Sequence, residues 1–255
     1  MGAEASYDEI GRAYSATRRT DPTIAAAIWS ALGEAETVLN VGAGAGAYEP
    51  PDREVVAVEP SEVMIAQRPA RAAPVVRAPA EALPLADDSV DAAMAVLTDH
   101  HWSDRARALA ELRRVTRRRI VLFNADPAQA ERFWMTTEYL PGFLGLIPRR
   151  LRRPGAWRAE FERALGTEVR IEPVPIPHDC RDGFYGAYWR RPSAYLQARV
   201  RTGISVFARL ERSEVERGLE RLAHDLQKGI WYERHAELRE LDALDLGYAL
   251  VVAEI

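Results

Sequence analysis

Residues 37–48 read TVLNVGAGAGAY: a short, mostly apolar run passes straight into a turn with Gly42, Gly44 and Gly46 at alternate positions. Such a run suits a buried strand. A turn without Cβ atoms lets the backbone approach a ligand closely, and the helix expected after it offers unsatisfied N–H groups at the same point. The stretch also satisfies the dinucleotide fingerprint G-x-G-x-x-A with Ala47 in last place. Taken alone, it fits a nicotinamide-dependent dehydrogenase as well as other nucleoside-binding enzymes.

Outward from this turn, the next apolar run is EVVAVEPS (54–61), which puts Glu59 at a strand end, where an acid accepts hydrogen bonds from two ribose hydroxyls. Pro60 follows it, and Ser61 is the better cap for a helix over EVMIAQ. Three more short apolar runs, PVV, DAAMAVL and RRIVLF, alternate with helical stretches as far as Phe123. This alternation predicts a mostly parallel sheet covered on both faces. In SDRARALAELRRV, Ala106, Leu109, Ala110, Leu112 and Val115 are expected near one helix face. Upstream, residues 8–32 suggest two short helices, the second starting at Pro22 after Asp21.

Beyond Phe123 the regularity weakens into helical pieces around a Pro/Gly-rich middle. VRIEPVPI (169–176) reads as a sixth strand, VERGLERLAHDL as an amphipathic helix, and LGYALVVAEI (246–255) as a final buried strand. The expected organisation is one α/β domain over 1–255. Residues 1–36 form N-terminal helices closing the cofactor site, 37–126 the cofactor-binding core, 127–166 and 181–244 cap insertions for the substrate, and 245–255 the last strand.

Composition narrows the function. The chain has 255 residues, 47% hydrophobic and 28% charged, with a formal net charge of -4. That balance is ordinary for a globular protein and gives no electrostatic reason to expect nucleic acid or an anionic membrane as partner. No apolar run approaches the roughly 18–20 residues of a membrane span, and the N-terminus lacks a signal-peptide pattern, so a cytoplasmic protein is expected. Cys180 is the only cysteine, which excludes an intramolecular disulfide, and the five histidines make no zinc pattern, so no metal is expected. Its acidic neighbours argue against Cys180 as a nucleophile. Of the arginine runs, 113–119 ends a helix and reads as a solvated face, whereas 149–153 lies in the first insertion, where it either faces solvent or steers an anionic substrate.

The segment VVRAPAEALPLADDSVDAAMAVLTDHHW (75–102) makes the reading specific. Ala80–Glu81, Leu83–Pro84, Asp87–Asp88 and Asp91 follow one another at close spacing, and with VLNVGAGAGAY and VVAVEPS upstream the chain from about Tyr7 to Phe123 resembles the class I S-adenosylmethionine-dependent methyltransferases, in the ubiquinone- and menaquinone-type small-molecule group. A dehydrogenase has no reason to keep the third block. The resemblance implies a doubly wound, mostly parallel seven-stranded sheet of Rossmann-like methyltransferase fold with helical cap insertions. It implies S-adenosyl-L-methionine as cofactor and S-adenosyl-L-homocysteine as product.

The resemblance also implies roles. Gly42, Gly44 and Gly46 would pass beneath the methionine and ribose portions, Glu59 would hold the ribose hydroxyls beside Pro60, and Met64 would lie against the adenine ring or simply pack its helix. The backbone near Ala80 and Glu81 would read the adenine edge, and the Leu97 carbonyl would lie near the methionine amino group. Tyr14 and Arg19 are candidates to close over the methionine carboxylate. One departure stands out: the family usually has Asp at the end of the first strand, where this chain has Asn40.

The acceptor half is less defined. His100 and His101, after the fourth strand, and His178, after the sixth, are candidate bases for an acceptor that must lose a proton. Trp102 would wall either the cofactor or the acceptor. Trp134, Tyr139, Phe184, Tyr188 and Trp189 are candidate walls for an apolar acceptor, with Tyr185 beside them, or else they pack the cap. The expected function is methylation of an O, N or C atom of a small, apolar or aromatic metabolite, as in secondary-metabolite tailoring, by a monomer or homodimer with no nucleic-acid or membrane partner. The alternatives are an inactive cofactor-binding or scaffolding protein, and an RNA or protein methyltransferase.

Overall fold

The computed structural model describes residues 18–255. Tyr14 and the first expected helix lie outside the described residues. Asp21 caps the helix Pro22–Ala31 by accepting from the N–H groups of Thr23 and Ile24, and Pro22 occupies the first helical position, where its missing N–H costs nothing.

Seven strands form the main sheet: β1 (Thr37–Val41), β2 (Glu54–Val58), β3 (Val75–Val76), β4 (Val90–Val96), β5 (Thr116–Ala125), β6 (Val169–Pro173) and β9 (Tyr248–Glu254). Their order is β3-β2-β1-β4-β5-β9-β6, with β1 to β5 mutually parallel and β9 antiparallel to both neighbours. The sixth apolar run divides. Its first part is β6, and its end is β7 (Ile176–Pro177), which pairs with β8 (Ala243–Leu244) in a separate two-stranded ribbon. Two prolines in VRIEPVPI account for the break, since each lacks an N–H for a ladder.

Alternate residues face opposite sides of the sheet. Val38, Ala92, Met94, Val121 and Phe123 pack with Ile24, Ile28 and the helical insertions. Leu39, Ala93, Ile120, Leu122 and Val251 pack on the other side with the helices Arg105–Val115 and Ala156–Leu165. The buried face of Arg105–Val115 is Ala108, Leu109, Leu112 and Val115; Ala106 and Ala110, expected there, are exposed. Trp157, Phe161 and Leu165 share its core cluster, so Ala156–Leu165 packs on the sheet, while its Trp157 and Glu160 also line the cavity described below. The amphipathic stretch forms the helix Arg212–Gln227 in the second insertion.

Asp91 opens β4 and ties it to β1, accepting from the backbone N–H of Glu36 and of Thr37, both at 3.1 Å, while pairing with Arg117 at 2.9 Å. Because β1, β2, β4 and β5 run parallel, their carboxyl ends meet at one edge. That edge gathers Asn40, Glu59, Leu97 and Asn124. No helix among the described residues is long and apolar enough to cross a membrane.

Candidate active site

The glycine turn takes up backbone that side chains resist. Gly42, Gly44 and Gly46 have φ of 66°, 51° and 87°. A Cβ on Gly42 would fall onto the side chain of Thr98, and one on Gly44 would stand 3.2 Å from the Met64 methyl. Met64, buried, therefore lies directly against the turn. Leu97 at the end of β4 also has a positive φ, 52°, a costly conformation for a leucine. It is held there by its N–H, which donates to the Phe123 carbonyl at 2.8 Å.

Glu59 is only 6% exposed. Its Oε2 accepts from Gly44 N–H at 2.8 Å and its Oε1 from Ser61 N–H at 3.0 Å. Burial pushes its pKa up, opposed by those two N–H groups. Each oxygen keeps a further acceptor site, so the carboxylate can brace the turn and still receive two hydroxyls. Pro60 is half-buried beside it, and Ala80 is buried nearby in the core. The Glu81 carboxylate is committed elsewhere, accepting from Ser103 N–H, Ser103 Oγ and Asp104 N–H, which leaves backbone at 80–81 for an adenine edge. These residues fit a methionine-linked adenosine.

Asn40 has a physical reason to be an amide. Its Nδ2 donates to Glu49 Oε1 at 3.3 Å, and Glu49 is in turn bridged to Arg68 at 2.6 Å, both side chains nearly buried. Arg68 donates onward to the carbonyls of Gly44 at 3.1 Å and Ala73 at 2.9 Å. An Asp at 40 would face Glu49 without a proton to give. Glu49 thus sets a carboxylate beside residue 40, balanced by Arg68.

Arg19 reaches the site through its backbone: its N–H donates to Asp182 Oδ1 at 3.2 Å, while its side chain is exposed. Its neighbour Arg18 pairs with Asp182 at 2.7 Å and lines a cavity of about 470 Å³. The cavity opens from the ends of β4 and β5 and is mostly apolar. Its lining includes Leu97, Asp99, His100, His101 and Trp102 after β4, the aromatic rings of Phe133, Phe143, Phe184, Tyr185 and Tyr248, and Ile204, Ser205, Val206 and Arg209 from the second insertion. His100 is exposed, but toward this cavity.

Neither imidazole is tuned as a base near neutral pH. Although His100 is open to the cavity, the surrounding protein displaces water from it, and this desolvation, helped by Arg209, Arg18 and Arg105, holds its pKa down to about 4. Burial, His100 and the Arg209 and Arg18 charges hold His101 down to about 2. Asp99 is buried, bound to Arg105 at 2.7 Å and to Asn124; desolvation pushes its pKa up, and Arg105 opposes this.

Several sequence candidates lie elsewhere. His178 sits on the β7–β8 ribbon, its Nδ1 3.2 Å from the Asp242 carbonyl and outside the cavity wall. Of the five aromatic candidates for acceptor walls, Phe184 alone lines the cavity. Trp134 and Trp189 are core residues, with their indole N–H groups donating to the carbonyls of Trp189 and Ile176, each at 2.9 Å. Tyr139 is buried and donates to Asp225 at 2.8 Å. Tyr188 packs beneath the Arg191 guanidinium. Burial pushes the Cys180 thiol pKa up, and no metal-holding cluster of His, Cys, Asp or Glu occurs among the described residues.

Residues 39–123 match a family model described as a methyltransferase domain. The crystal structure of an Anabaena variabilis protein, described as a candidate methyltransferase from an antibiotic biosynthesis pathway, is 33% identical over 93% of this chain and 99% of its own, with a TM-score of 0.83. The chain belongs to the class I S-adenosylmethionine-dependent methyltransferases. S-adenosyl-L-methionine is its cofactor. In fold alone this methyltransferase is also similar to the [4+2]-cyclase SpnF, 16% identical over 100% of this chain and 97% of that one at a TM-score of 0.52. No curated protein matches the methyltransferase in sequence.

Proposed function

We propose that this methyltransferase methylates a small, mainly apolar or aromatic metabolite bound in the 470 Å³ cavity. One observation carries the reading: the segment from Leu97 to Trp102 belongs to both halves of the site. Thr98 packs over Gly42 of the cofactor turn, and Leu97, His100, His101 and Trp102 line the cavity. A volume of this size suits a small organic molecule. In the family, the bound cofactor supplies a methyl group already activated on a sulfonium sulfur.

The protein's task is then alignment. Placing two reactants in near-attack geometry supplies up to roughly 7–11 kcal/mol of barrier reduction. Glu59 and the glycine turn hold the cofactor side, and the aromatic walls hold the acceptor and exclude water. His100 and His101, with pKa values far below that of a phenol or an amine, act as neutral polar walls of the cavity, and an acceptor proton is lost before binding. The Anabaena relative's description supports a role in secondary-metabolite tailoring.

Calorimetry with S-adenosylhomocysteine, followed by its release from the methyl donor against a panel of aromatic acids, phenols and amines, tests the reading. Binding and turnover with at least one acceptor are expected. Binding of NAD in place of S-adenosylhomocysteine would overturn it.

A further inference from the structure

The cavity wall carries one cation that the described residues do not neutralise. Four arginines line it: Arg18, Arg105, Arg150 and Arg209. Arg105 is clamped between Asp99 at 2.7 Å and Glu160 at 2.8 Å, Arg150 pairs with Glu160 at 2.9 Å, and Arg18 pairs with Asp182 at 2.7 Å. Arg209 has no ion-pair partner among the described residues and is exposed. The lining acids do not reserve themselves for it: Asp99 and Glu160 serve Arg105 and Arg150, and Asp126 accepts from Ala128 N–H at the start of the turn Pro127–Arg132.

Arg209 ends the short helix Ser205–Arg209, which also brings Ser205 and Val206 to the cavity, so the guanidinium stands at the margin of an apolar surface. Nearby are His100 and His101, their ring centroids 3.9 Å apart. After burial, the charges depressing the His100 pKa are Arg209, Arg18 and Arg105; at His101 they are His100, Arg209 and Arg18. Both imidazoles are therefore neutral near pH 7 and neither carries a charge that would compete for an anion or repel one. Four arginines against Asp99, Asp126 and Glu160 leave the cavity lining net positive, and much of the rest of it is aromatic or aliphatic.

Resting on the methyl-transfer reading above, we propose that the acceptor is an organic anion, an aromatic body bearing a carboxylate, and that Arg209 is the specificity-determining residue that holds it. A guanidinium presents a planar fork matched to a carboxylate, and such charge-assisted pairs are stronger where water is partly excluded. Neutral molecules of the same shape fill the apolar walls but gain nothing from Arg209.

The test uses the full chain with S-adenosylhomocysteine present and compares naphthoate with naphthamide, which share a shape and differ in charge. Calorimetry should find naphthoate bound at least about tenfold more tightly, the scale of one hydrogen bond to a charged group. In Arg209→Gln that preference should disappear while S-adenosylhomocysteine affinity stays within about twofold, and Arg209→Lys should restore part of it. Equal affinity for the two probes, including no binding of either, overturns the inference. So does an Arg209→Gln variant that keeps the preference. Failure to bind S-adenosylhomocysteine overturns the methyl-transfer reading instead, so the two failures are distinguishable.

Discussion

The Tyr48 hydroxyl donates to the Asp182 carboxylate across 2.9 Å, joining the glycine turn to the loop after β7. Asp182 is 1% exposed and also receives Arg18 at 2.7 Å, so one buried acid ties together the N-terminal segment, the cofactor turn and the acceptor side. Tyr48 itself sits at φ 65°, a conformation this anchor helps hold.

Asp182→Asn should therefore destabilise the fold. Neutralising one partner of this buried ion pair costs about 3 kcal/mol. In a chain of this size that lowers Tm by roughly 6–12 °C. Tyr48→Phe, which loses the bond to Asp182 and the longer one accepted from the Asp21 N–H at 3.5 Å, should cost about 1–2 kcal/mol. Scanning calorimetry of both variants checks this, and an Asp182→Asn shift below about 2 °C would contradict it.

Glu59→Gln should act on the cofactor. The amide keeps one oxygen to accept from either Gly44 or Ser61, and turns its NH₂ group toward the other donor. S-adenosylhomocysteine binding should weaken by about ten- to hundredfold, equivalent to roughly 1.5–3 kcal/mol. Titration calorimetry reads this directly. An unchanged Kd would remove Glu59 from the cofactor site.

Restoring the family's usual acid, Asn40→Asp, should harm this protein. The new carboxylate faces Glu49 Oε1, to which Asn40 now donates at 3.3 Å. The loss of a buried hydrogen bond and the like-charge contact together cost about 1–3 kcal/mol. A lower Tm is expected, and the companion Glu49→Gln change should recover part of the loss from repulsion. A more stable Asn40→Asp would show that no like-charge contact with Glu49 forms.

The two cavity histidines set a pH dependence. Their folded pKa values, about 4 and about 2, lie below the ordinary value of 6.5. The unfolded chain then binds more protons between these limits, so the stability contribution is present above about pH 6.5 and is lost as pH falls toward 4. Thermal unfolding between pH 7 and 4.5 should show a decline that shrinks in His100→Asn/His101→Asn. The same depression predicts a turnover profile without a limb near pH 6.5, because neither imidazole titrates there. A histidine-like limb that disappears in the double variant would restore the general-base assignment.

The cofactor side could be read from single residues because its signals are local. Gly42, Gly44 and Gly46 are demanded by their own φ angles, and Ser61 accepts from Met64 N–H three residues away. The acceptor side could not be read this way. Trp134, Tyr139 and Trp189 carry the same apolar signal as Phe184, yet the first three are core and Phe184 is a wall, because a ring's burial depends on what packs against it from distant segments. Arg209 was silent for the same reason: one arginine among many, it stands out only when the chain places it on the same cavity lining as His100, more than a hundred residues upstream.

By itself, then, the sequence determined the alternating α/β pattern, the glycine turn, the acid at Glu59 and the methyltransferase family, all carried by short-range periodicity and turn chemistry. Tertiary structure alone decided the strand order with antiparallel β9 between β5 and β6, the division of 169–176 between sheet and ribbon, and the linking of Asn40 to Glu49 and Arg68 in one network. It also decided which side chains meet in the cavity. Those outcomes rest on long-range packing and charge pairing, whose energy depends on partners that a linear pattern does not specify.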